Sequence, residues 1–173
     1  MPASSRTIFD GRIVRLALEQ VTLPNGAQAE FEIVHHPGGA GVVAIDADNK
    51  VCLLHQYRHA MGGWLWEIPA GKLDPGEAPL TTAMRELEEE AGVRAEDWQS
   101  LGKVVSSPGV FTEVVHLFLA HGLTHVATNA EAHEAFEVHW LPFATALERA
   151  QNGEYVDGKT VIALLRTAFV LRP

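Results

Sequence analysis

The stretch that decides the fold is AGKLDPGEAPLTTAMRELEEEAGV, residues 70–93. Its second half has the spacing of an amphipathic helix, with one apolar stripe formed by Leu80, Ala83, Met84, Leu87 and Ala91. Pro79 suits the first helical turn, where a missing N–H is tolerated, and Gly92 supplies a C-terminal stop. The pattern therefore predicts a helix over residues 79–91 with this stripe facing the core.

The predicted helix also concentrates carboxylates on one side of a single turn. At about 100° per residue, Glu86 and Glu90 are nearly eclipsed and Glu89 lies on the adjoining edge. Like charges at this spacing destabilise a helix by roughly a few tenths of a kcal/mol per pair, and only Arg85 is placed to offset Glu89. A solvated acidic face is one interpretation. A site for a hard divalent cation such as Mg²⁺, which binds carboxylates and arrives with phosphate, explains the repulsion better.

The bulk properties exclude several classes of protein. The chain has 173 residues, which suits a single domain spanning residues 1–173. A net charge of −9 argues against nucleic acid as the main partner. No apolar run reaches the ~20 residues of a membrane span, and the N-terminus has no apolar signal core. With a single cysteine, Cys52, no internal disulfide forms, and we expect a cytoplasmic protein without a membrane partner.

Alternating apolar and polar residues between turn signals predict strands through much of the rest of the chain. Pro-Asn-Gly at residues 24–26 predicts the turn of one hairpin, and residues 46–49 the turn of a second. Further strands are expected in WLWEIPA (64–70), VVHLFLA (114–120) and FEVHWL (136–141), and further helices in PFATALERAQNG (142–153) and DGKTVIALLRTAFV (157–170). Asp157 is the expected N-cap of the last helix. Strands mixed with a few helices indicate an α+β protein, an α/β/α sandwich.

One longer pattern runs through the acidic helix and the loop before it. From Gly71 the chain reads Gly, five residues, Glu, seven residues, Arg-Glu-Leu, one residue, Glu-Glu, one residue, Gly-Val. This pattern resembles the Nudix box of the Nudix hydrolases. The resemblance implies the Nudix fold, a mixed sheet flanked by helices with an N-terminal antiparallel sheet. It also implies two to three Mg²⁺ ions per site, or Mn²⁺ or another divalent cation, held against a diphosphate.

The resemblance also carries roles over to the matching positions. Glu86, Glu90 and the backbone carbonyl of Ala70 would be metal ligands, and Glu89 a ligand or a catalytic group that positions water. Arg85 would orient the glutamates. Glu77 would brace the loop.

The flanks are similar to those of the ADP-ribose pyrophosphatases within this family. In LLHQYRHAMGGWLWEIPAG, residues 53–71, the resemblance makes Arg58 a contact of the substrate diphosphate, which suits a guanidinium. Glu67 would be a secondary substrate-site residue. A surface ion pair for Arg58 and a strand-end salt bridge for Glu67 are the alternatives. Pro108, in SSPGVFTE (106–113), matches a marker of the subfamily and makes Glu113 a candidate substrate-binding residue.

Two further roles are implied by the resemblance. The general base would come from the loop in NAEAHEAFEVHWLP (129–142), with Glu134 the better match and Glu131 the second, unless this is a mobile acidic surface loop. Phe31 is the nearest match to an adenine-binding aromatic residue, with a plain core role as the alternative. Ile13 and His36 depart from the pattern of some relatives at this base-binding site.

The function predicted by the resemblance is metal-dependent hydrolysis of ADP-ribose to AMP and ribose 5-phosphate. The partners would be a small nucleoside diphosphate substrate and a second copy of the chain, through exchanged strands in residues 1–37. One alternative is a Nudix pyrophosphatase for another nucleotide sugar, such as GDP-mannose, or for a dinucleotide cofactor. The other is a regulator that binds ADP-ribose without cleaving it.

Overall fold

The computed structural model describes residues 4–126 and 135–172. Contacts between residues divide the chain into two compact units, each continuous in space but not in sequence. The first unit comprises Met1–Gly38 and Val105–Val114, and the second comprises Gly39–Val104 and Val115–Pro173. The interpretation of residues 1–173 as one domain, with residues 1–37 serving dimerisation, stays a prediction.

The first unit contains an antiparallel sheet of β1 (Ser4–Asp10), β2 (Arg15–Thr22) and β3 (Gln28–His35), in that order. The predicted hairpin is confirmed, since β2 and β3 pair antiparallel from Arg15 and His35 to Thr22 and Gln28. Gly26 makes its turn possible with a φ of 84°, a conformation that L side chains rarely adopt. The whole of β1 is exposed, and Ala17 is the one buried side chain of the three strands.

The second unit contains two sheets. Its strands are β4 (Gly39–Ala44), β5 (Lys50–Arg58), β6 (Gly63–Glu67), β7 (Ala70–Lys72), β8 (Val93–Val105), β9 (Val114–His125) and β10 (Phe136–Pro142). One sheet has the order β7-β4-β9-β8, in which β4 runs parallel to β9 and antiparallel to β7. The other sheet, β10-β5-β6, is antiparallel. The mixed sheet predicted for the fold is therefore present.

The second predicted hairpin is only half right. Its turn forms at the expected place, where the N–H of Asn49 donates to the carbonyl of Asp46 at 3.1 Å and Asn49 has a φ of 60°. The strands on either side then enter different sheets, and Ile45 and Val51 form the bridge between them. The reason is that β4 already has a partner on each edge, β7 on one side and β9 on the other.

In the described part of the second unit, three α-helices cover the strands, namely α1 (Pro79–Ala91), α2 (Phe143–Gln151) and α3 (Gly158–Val170). A short 3₁₀ helix spans His59–Met61. Successive residues of β4 point to opposite faces, so that Val42 packs towards α1 and Val43 towards α2 and α3. The cluster under α1 contains Cys52, Leu87, Ala91 and strand residues. The larger cluster contains Phe143, Ala146, Ala150, Ala163 and Leu164 from the other two helices. This α/β/α arrangement is the predicted fold class.

Helix α1 has the predicted bounds, and three of the five residues of the predicted stripe are buried. Ala83, Leu87 and Ala91 are buried, whereas Leu80 and Met84 are 36% and 42% exposed. Met84 lies about 100° around the helix from Ala83, and Leu80 lies in the first turn, before the buried row begins. Glu86 and Glu90 are buried as well, and their carboxylates lie against the backbone of β7.

Within residues 4–126 and 135–172, no helix is both long enough and apolar enough to cross a bilayer.

Candidate active site

Arg85 is the centre of a network that joins α1 to the loop before it. Its Nη1 donates to Oε1 of Glu86 at 2.7 Å and to Oε2 of Glu89 at 3.0 Å, the pair expected at i,i+4. Its Nε donates to Oε1 of Glu77 at 3.3 Å, and its Nη2 to the carbonyl of Lys72 at 3.3 Å. Burial opposes the charge of Arg85, but the bonds to Glu77 and the charge of Glu86 outweigh it and raise its pKa. One guanidinium thus serves as the counter-charge of the acidic turn.

Glu77 holds the loop against the helix. Its carboxylate accepts hydrogen bonds from the hydroxyl of Thr82 at 2.8 Å and from the N–H of Asp74 at 3.3 Å, besides those from Arg85. The hydrogen bond from Arg85 has the largest effect on the pKa of Glu77 and lowers it. Burial acts in the opposite direction, but the bond from Thr82 adds to that of Arg85, and the pKa falls to about 2. These contacts fit the bracing position expected for Glu77.

The backbone of β7 lies directly against two carboxylates of α1. Glu86 and Glu90 are 8% and 2% exposed. The N–H of Ala70 donates to Oε2 of Glu90 at 2.9 Å. A methyl group at Gly71 would lie 1.8 Å from Oε1 of Glu86, so glycine is required there for the carboxylate to fit. The fold therefore brings Glu86 and Glu90 to the Ala70–Gly71 backbone, and Glu89 is linked to Glu86 through Arg85. Metal binding by these groups stays a prediction.

These donors suit a divalent cation by their chemistry. Carboxylates and a backbone carbonyl are the all-oxygen set that Mg²⁺ and similar hard ions bind. Within residues 4–126 and 135–172, no group of three or more His, Cys, Asp or Glu side chains is arranged to hold a metal ion. The contacts of Glu86 and Glu89 with Arg85 provide a physical reason, since their oxygens point to the guanidinium.

Arg58 and Glu67 form a bidentate ion pair between the ends of β5 and β6. Nε of Arg58 donates to Oε1 of Glu67 at 2.6 Å, and Nη2 donates to Oε2 at 2.8 Å. The bond to Glu67 raises the pKa of Arg58. Burial alone would raise the pKa of Glu67, but Arg58 and Lys159 together bring it below its usual value. The ion pairs foreseen as alternatives for both residues are present, and a contact with substrate stays a prediction.

Lys159, which sequence reasoning did not single out, also binds Glu67. Its Nζ contacts Oε2 of Glu67 and lies 3.0 Å from Oδ2 of Asp157. Asp157 is the N-cap predicted for α3, and it accepts from the N–H of Thr160 at 3.1 Å. One feature of the sequence could have indicated Lys159, namely a cation in the first turn of a predicted helix, where the helix dipole disfavours positive charge.

The remaining predicted residues belong to other parts of the chain. Phe31 lies on β3 in the first unit and is 40% exposed. Glu113, also in the first unit, has its Oε1 at 3.4 Å from Nδ1 of His36. Glu131 and Glu134 lie outside the described residues. The roles assigned to these four residues stay predictions.

Comparison with known proteins places this architecture in a family. The model of the NUDIX domain matches residues 35–163. The chain is 42% identical over 159 residues to a methanol dehydrogenase activator of Bacillus methanolicus, covering 91% of this chain and 86% of that protein. It is 39% identical over 165 residues to the ADP-ribose pyrophosphatase of Mycobacterium tuberculosis, covering 94% of this chain and 80% of that protein. The chain belongs to the Nudix family of hydrolases, whose enzymes use divalent cations.

A solved structure supports the fold independently of close sequence similarity. The crystal structure of an ADP compounds hydrolase superposes with a TM-score of 0.84 at 21% identity, covering 99% of this chain and 93% of that chain. At this identity the likeness shows the Nudix fold.

Proposed function

We propose that this protein hydrolyses the diphosphate bond of ADP-ribose, producing AMP and ribose 5-phosphate. The observation that carries the proposal is the cluster in which the carboxylates of Glu86 and Glu90 lie against the Ala70–Gly71 backbone. Arg58 is close enough to this cluster for the charge of Glu90 to contribute to its raised pKa. Carboxylate oxygens can bind a divalent cation, and a guanidinium can bind phosphate. The two together suit a diphosphate substrate. The ADP-ribose pyrophosphatase among the relatives supports ADP-ribose in particular.

The cation in this proposal is Mg²⁺, with two to three ions per site and Mn²⁺ as a substitute. Glu86, Glu89, Glu90 and the carbonyl of Ala70 would hold it. When bound, a cation of this kind neutralises charge on the diphosphate and makes water a better nucleophile.

The protein's own groups then have distinct tasks. Arg58 binds the diphosphate oxygens and stabilises the charge that develops on them during the reaction. A water oxygen forms a bond to one phosphorus atom while the bond from that phosphorus to the bridging oxygen breaks. Glu134, with Glu131 or Glu89 as alternatives, accepts the proton that the water loses. Arg85 keeps Glu86 and Glu89 oriented from the same turn of α1.

We also propose that the protein is a homodimer formed through residues 1–37. A three-stranded sheet needs a covered hydrophobic face to be stable, yet all of β1 is exposed. Ile8, Phe9, Ile13 and Phe31 are exposed large apolar residues of this sheet region. A second copy of the same region would cover them.

The decisive experiment is a substrate panel with the purified chain and Mg²⁺, using ADP-ribose, GDP-mannose and a dinucleotide cofactor. We expect ADP-ribose to have the highest kcat/KM and EDTA to abolish turnover. Glu90→Gln should lower kcat by more than the ~10- to 100-fold typical of losing a group that only supports a metal ligand.

Glu88→Gln is the matched control on the same helix, because Glu88 pairs with Arg94 at 2.7 Å rather than with the cluster. It should retain wild-type kcat. Near-wild-type turnover of ADP-ribose by Glu90→Gln would contradict the proposed mechanism. A higher kcat/KM for GDP-mannose or the dinucleotide would show that this compound, and not ADP-ribose, is the preferred substrate.

A regulatory function is the second candidate, because one relative carries the name of an activator of another enzyme. Calorimetry separates the two. Tight binding of ADP-ribose with Mg²⁺ and no AMP formed would favour the regulator.

A further inference from the structure

The carboxylate of Glu67 is shared between two cations in a buried position. Glu67 is 2% exposed, and its two oxygens accept from Nε and Nη2 of Arg58 at 2.6 and 2.8 Å. Oε2 also accepts from Nζ of Lys159. A buried carboxylate with partners on both sides has little freedom to rotate, because leaving either partner exposes an unpaired charge to a poorly solvated site.

The place of Lys159 is unfavourable for the helix that carries it. Lys159 is the second residue of α3, where the positive end of the helix dipole repels a cation. Its side chain is 18% exposed, so it gives up the solvation that a surface lysine keeps. The two carboxylates of Glu67 and Asp157 offset both effects. Helix stability alone does not explain a lysine at this position.

The first turn of α3 also fixes the backbone next to Glu67. The hydroxyl of Thr160 donates to Oδ2 of Asp157 at 2.5 Å and accepts from the N–H of Ile68 at 2.9 Å. Two residues further on, the N–H of Ala70 bonds to Glu90 of α1. The segment from Glu67 to Ala70 is therefore held by α3 at one end and by α1 at the other.

The same arrangement sets the orientation of Arg58. Its Nε and Nη2 are engaged by Glu67, while Nη1 makes no hydrogen bond to the residues that the structure describes. The side chain of Arg58 is 40% exposed, in contrast to the 3% of Glu67. A guanidinium bound along one edge by a fixed carboxylate presents its remaining N–H groups in one direction.

We propose that Lys159 is a positioning residue that acts through Glu67 to orient Arg58 for the substrate diphosphate. This inference rests on the proposed function, in which Arg58 binds the diphosphate. Without the ammonium of Lys159, Arg58 is the one cation left to Glu67 among the residues that the structure describes. The two side chains then rearrange together, and the free edge of Arg58 loses its fixed direction. Substrate binding weakens while the carboxylate cluster of α1 stays in place.

The first test compares steady-state kinetics of Lys159→Met and Lys159→Arg with wild type. Lys159→Met keeps the length of the side chain but removes its charge, and should raise KM for ADP-ribose between about 10- and 100-fold, with a smaller change in kcat. Lys159→Arg retains a cation for Glu67 and Asp157 and should recover most of this loss. Lys103→Met, a change at an exposed lysine of β8, is the matched control and should leave KM unchanged.

A double-mutant cycle with Arg58→Ala separates positioning from a general loss of structure. If Lys159 acts through Arg58, adding Lys159→Met to Arg58→Ala should change KM by less than about twofold, because coupled residues are not additive. An equal rise of KM in both backgrounds would overturn the proposal. Urea unfolding of each variant shows whether the fold persists.

A spectroscopic test does not depend on turnover. In ¹⁵N-labelled protein, the Nε–H signal of Arg58, assigned with Arg58→Lys, should shift and exchange faster with water in Lys159→Met but not in Lys103→Met. An unchanged signal would overturn the proposal whatever the kinetics. If wild type hydrolyses no substrate of the panel, the proposed function fails, and this measurement still decides whether Lys159 orients Arg58.

Discussion

Gly71 is the residue that allows the carboxylate of Glu86 to lie against β7. Its missing side chain leaves the space that the carboxylate of Glu86 occupies, since a Cβ atom would lie 1.8 Å from Oε1 and 2.1 Å from Cδ of Glu86. The spacing of the box predicts a glycine here, but the reason for it becomes visible only when β7 and α1 are in contact. Glycine at this position is needed for close approach rather than for a turn.

Gly71→Ala should therefore separate activity from stability. The atoms that the new methyl group meets are at the end of a flexible side chain, so Glu86 can move away, at a stability loss of no more than about 1–3 kcal/mol. Moving Glu86 removes a proposed metal ligand, and kcat/KM for ADP-ribose should fall by at least about 10-fold. Kinetics and urea unfolding measure the two effects.

Gly63→Ala is the control, because a methyl group at Gly63 would meet nothing within 4 Å beyond its own chain neighbours. It should change neither quantity appreciably. Wild-type kinetics for Gly71→Ala would show that Glu86 need not lie against β7.

Among the elements, α1 was predicted well and β8 was not. The bounds Pro79–Ala91 follow from local signals, since Pro79 starts the helix and Gly92 ends it with a φ of 64°. The predicted stripe was wrong at Leu80 and Met84, because which side of a helix is buried depends on the strands beneath it. The sequence of β8, Val93–Val105, contains several charged residues and no regular alternation of apolar and polar residues. It forms a strand because it pairs with β9 at the edge of the sheet. Pairing of this kind has no local signature.

The loop before α1 depends on the charge of Glu77, which leads to a prediction about acid stability. The pKa of Glu77 falls from its ordinary value of 4.5 to about 2 in the folded protein, so its stabilising effect is complete above about pH 4.5 and is lost as the pH falls towards 2. Glu77→Gln should lower the free energy of unfolding by about 1.5–3 kcal/mol at pH 7, the range for hydrogen bonds to charged groups. The difference from wild type should shrink between pH 4.5 and pH 2.

Urea unfolding from pH 7 to pH 3 measures this difference. Glu148→Gln, at an exposed glutamate of α2, is the control and should show no such pH-dependent difference. A constant difference between wild type and Glu77→Gln over the whole range would contradict the assigned ion pair with Arg85.

At the scale of the whole molecule, the sequence predicted contacts within one continuous segment better than contacts between distant segments. Ala70, Glu86 and Glu90 lie within one motif, and their contact follows from a loop and a helix that are consecutive. The bond between Lys159 and Glu67 joins residues 92 positions apart and could not be read from spacing. The same limit applies to the strands around the second hairpin turn, which enter two sheets.

The exposed sheet of the first unit leads to a prediction about assembly. If two copies cover each other's residues 1–37, wild type should sediment as a dimer, and Phe9→Ser combined with Ile13→Ser should shift it towards monomer. Each buried aromatic or aliphatic side chain contributes about 1.5–3 kcal/mol, so the two changes should weaken association by at least about 100-fold. Analytical ultracentrifugation over a range of concentrations measures the dissociation constant.

Phe169→Ser is the control for this experiment, because Phe169 is a large apolar side chain that is 71% exposed and belongs to the second unit. It should leave the dimer intact. A wild-type chain that sediments as a monomer would refute the proposed assembly.

The single cysteine provides the chain with a built-in probe of local opening. Cys52 is fully buried in the cluster beneath α1, next to Leu87 and Ala91, and a thiol reagent reaches it only while that cluster is open. The rate of modification in the unaltered protein therefore reports the free energy of separating α1 from the strands. A ligand that binds the carboxylates of α1 only in the closed form would stabilise that form and slow the modification by the same factor. Occupancy of the site can therefore be followed without measuring turnover.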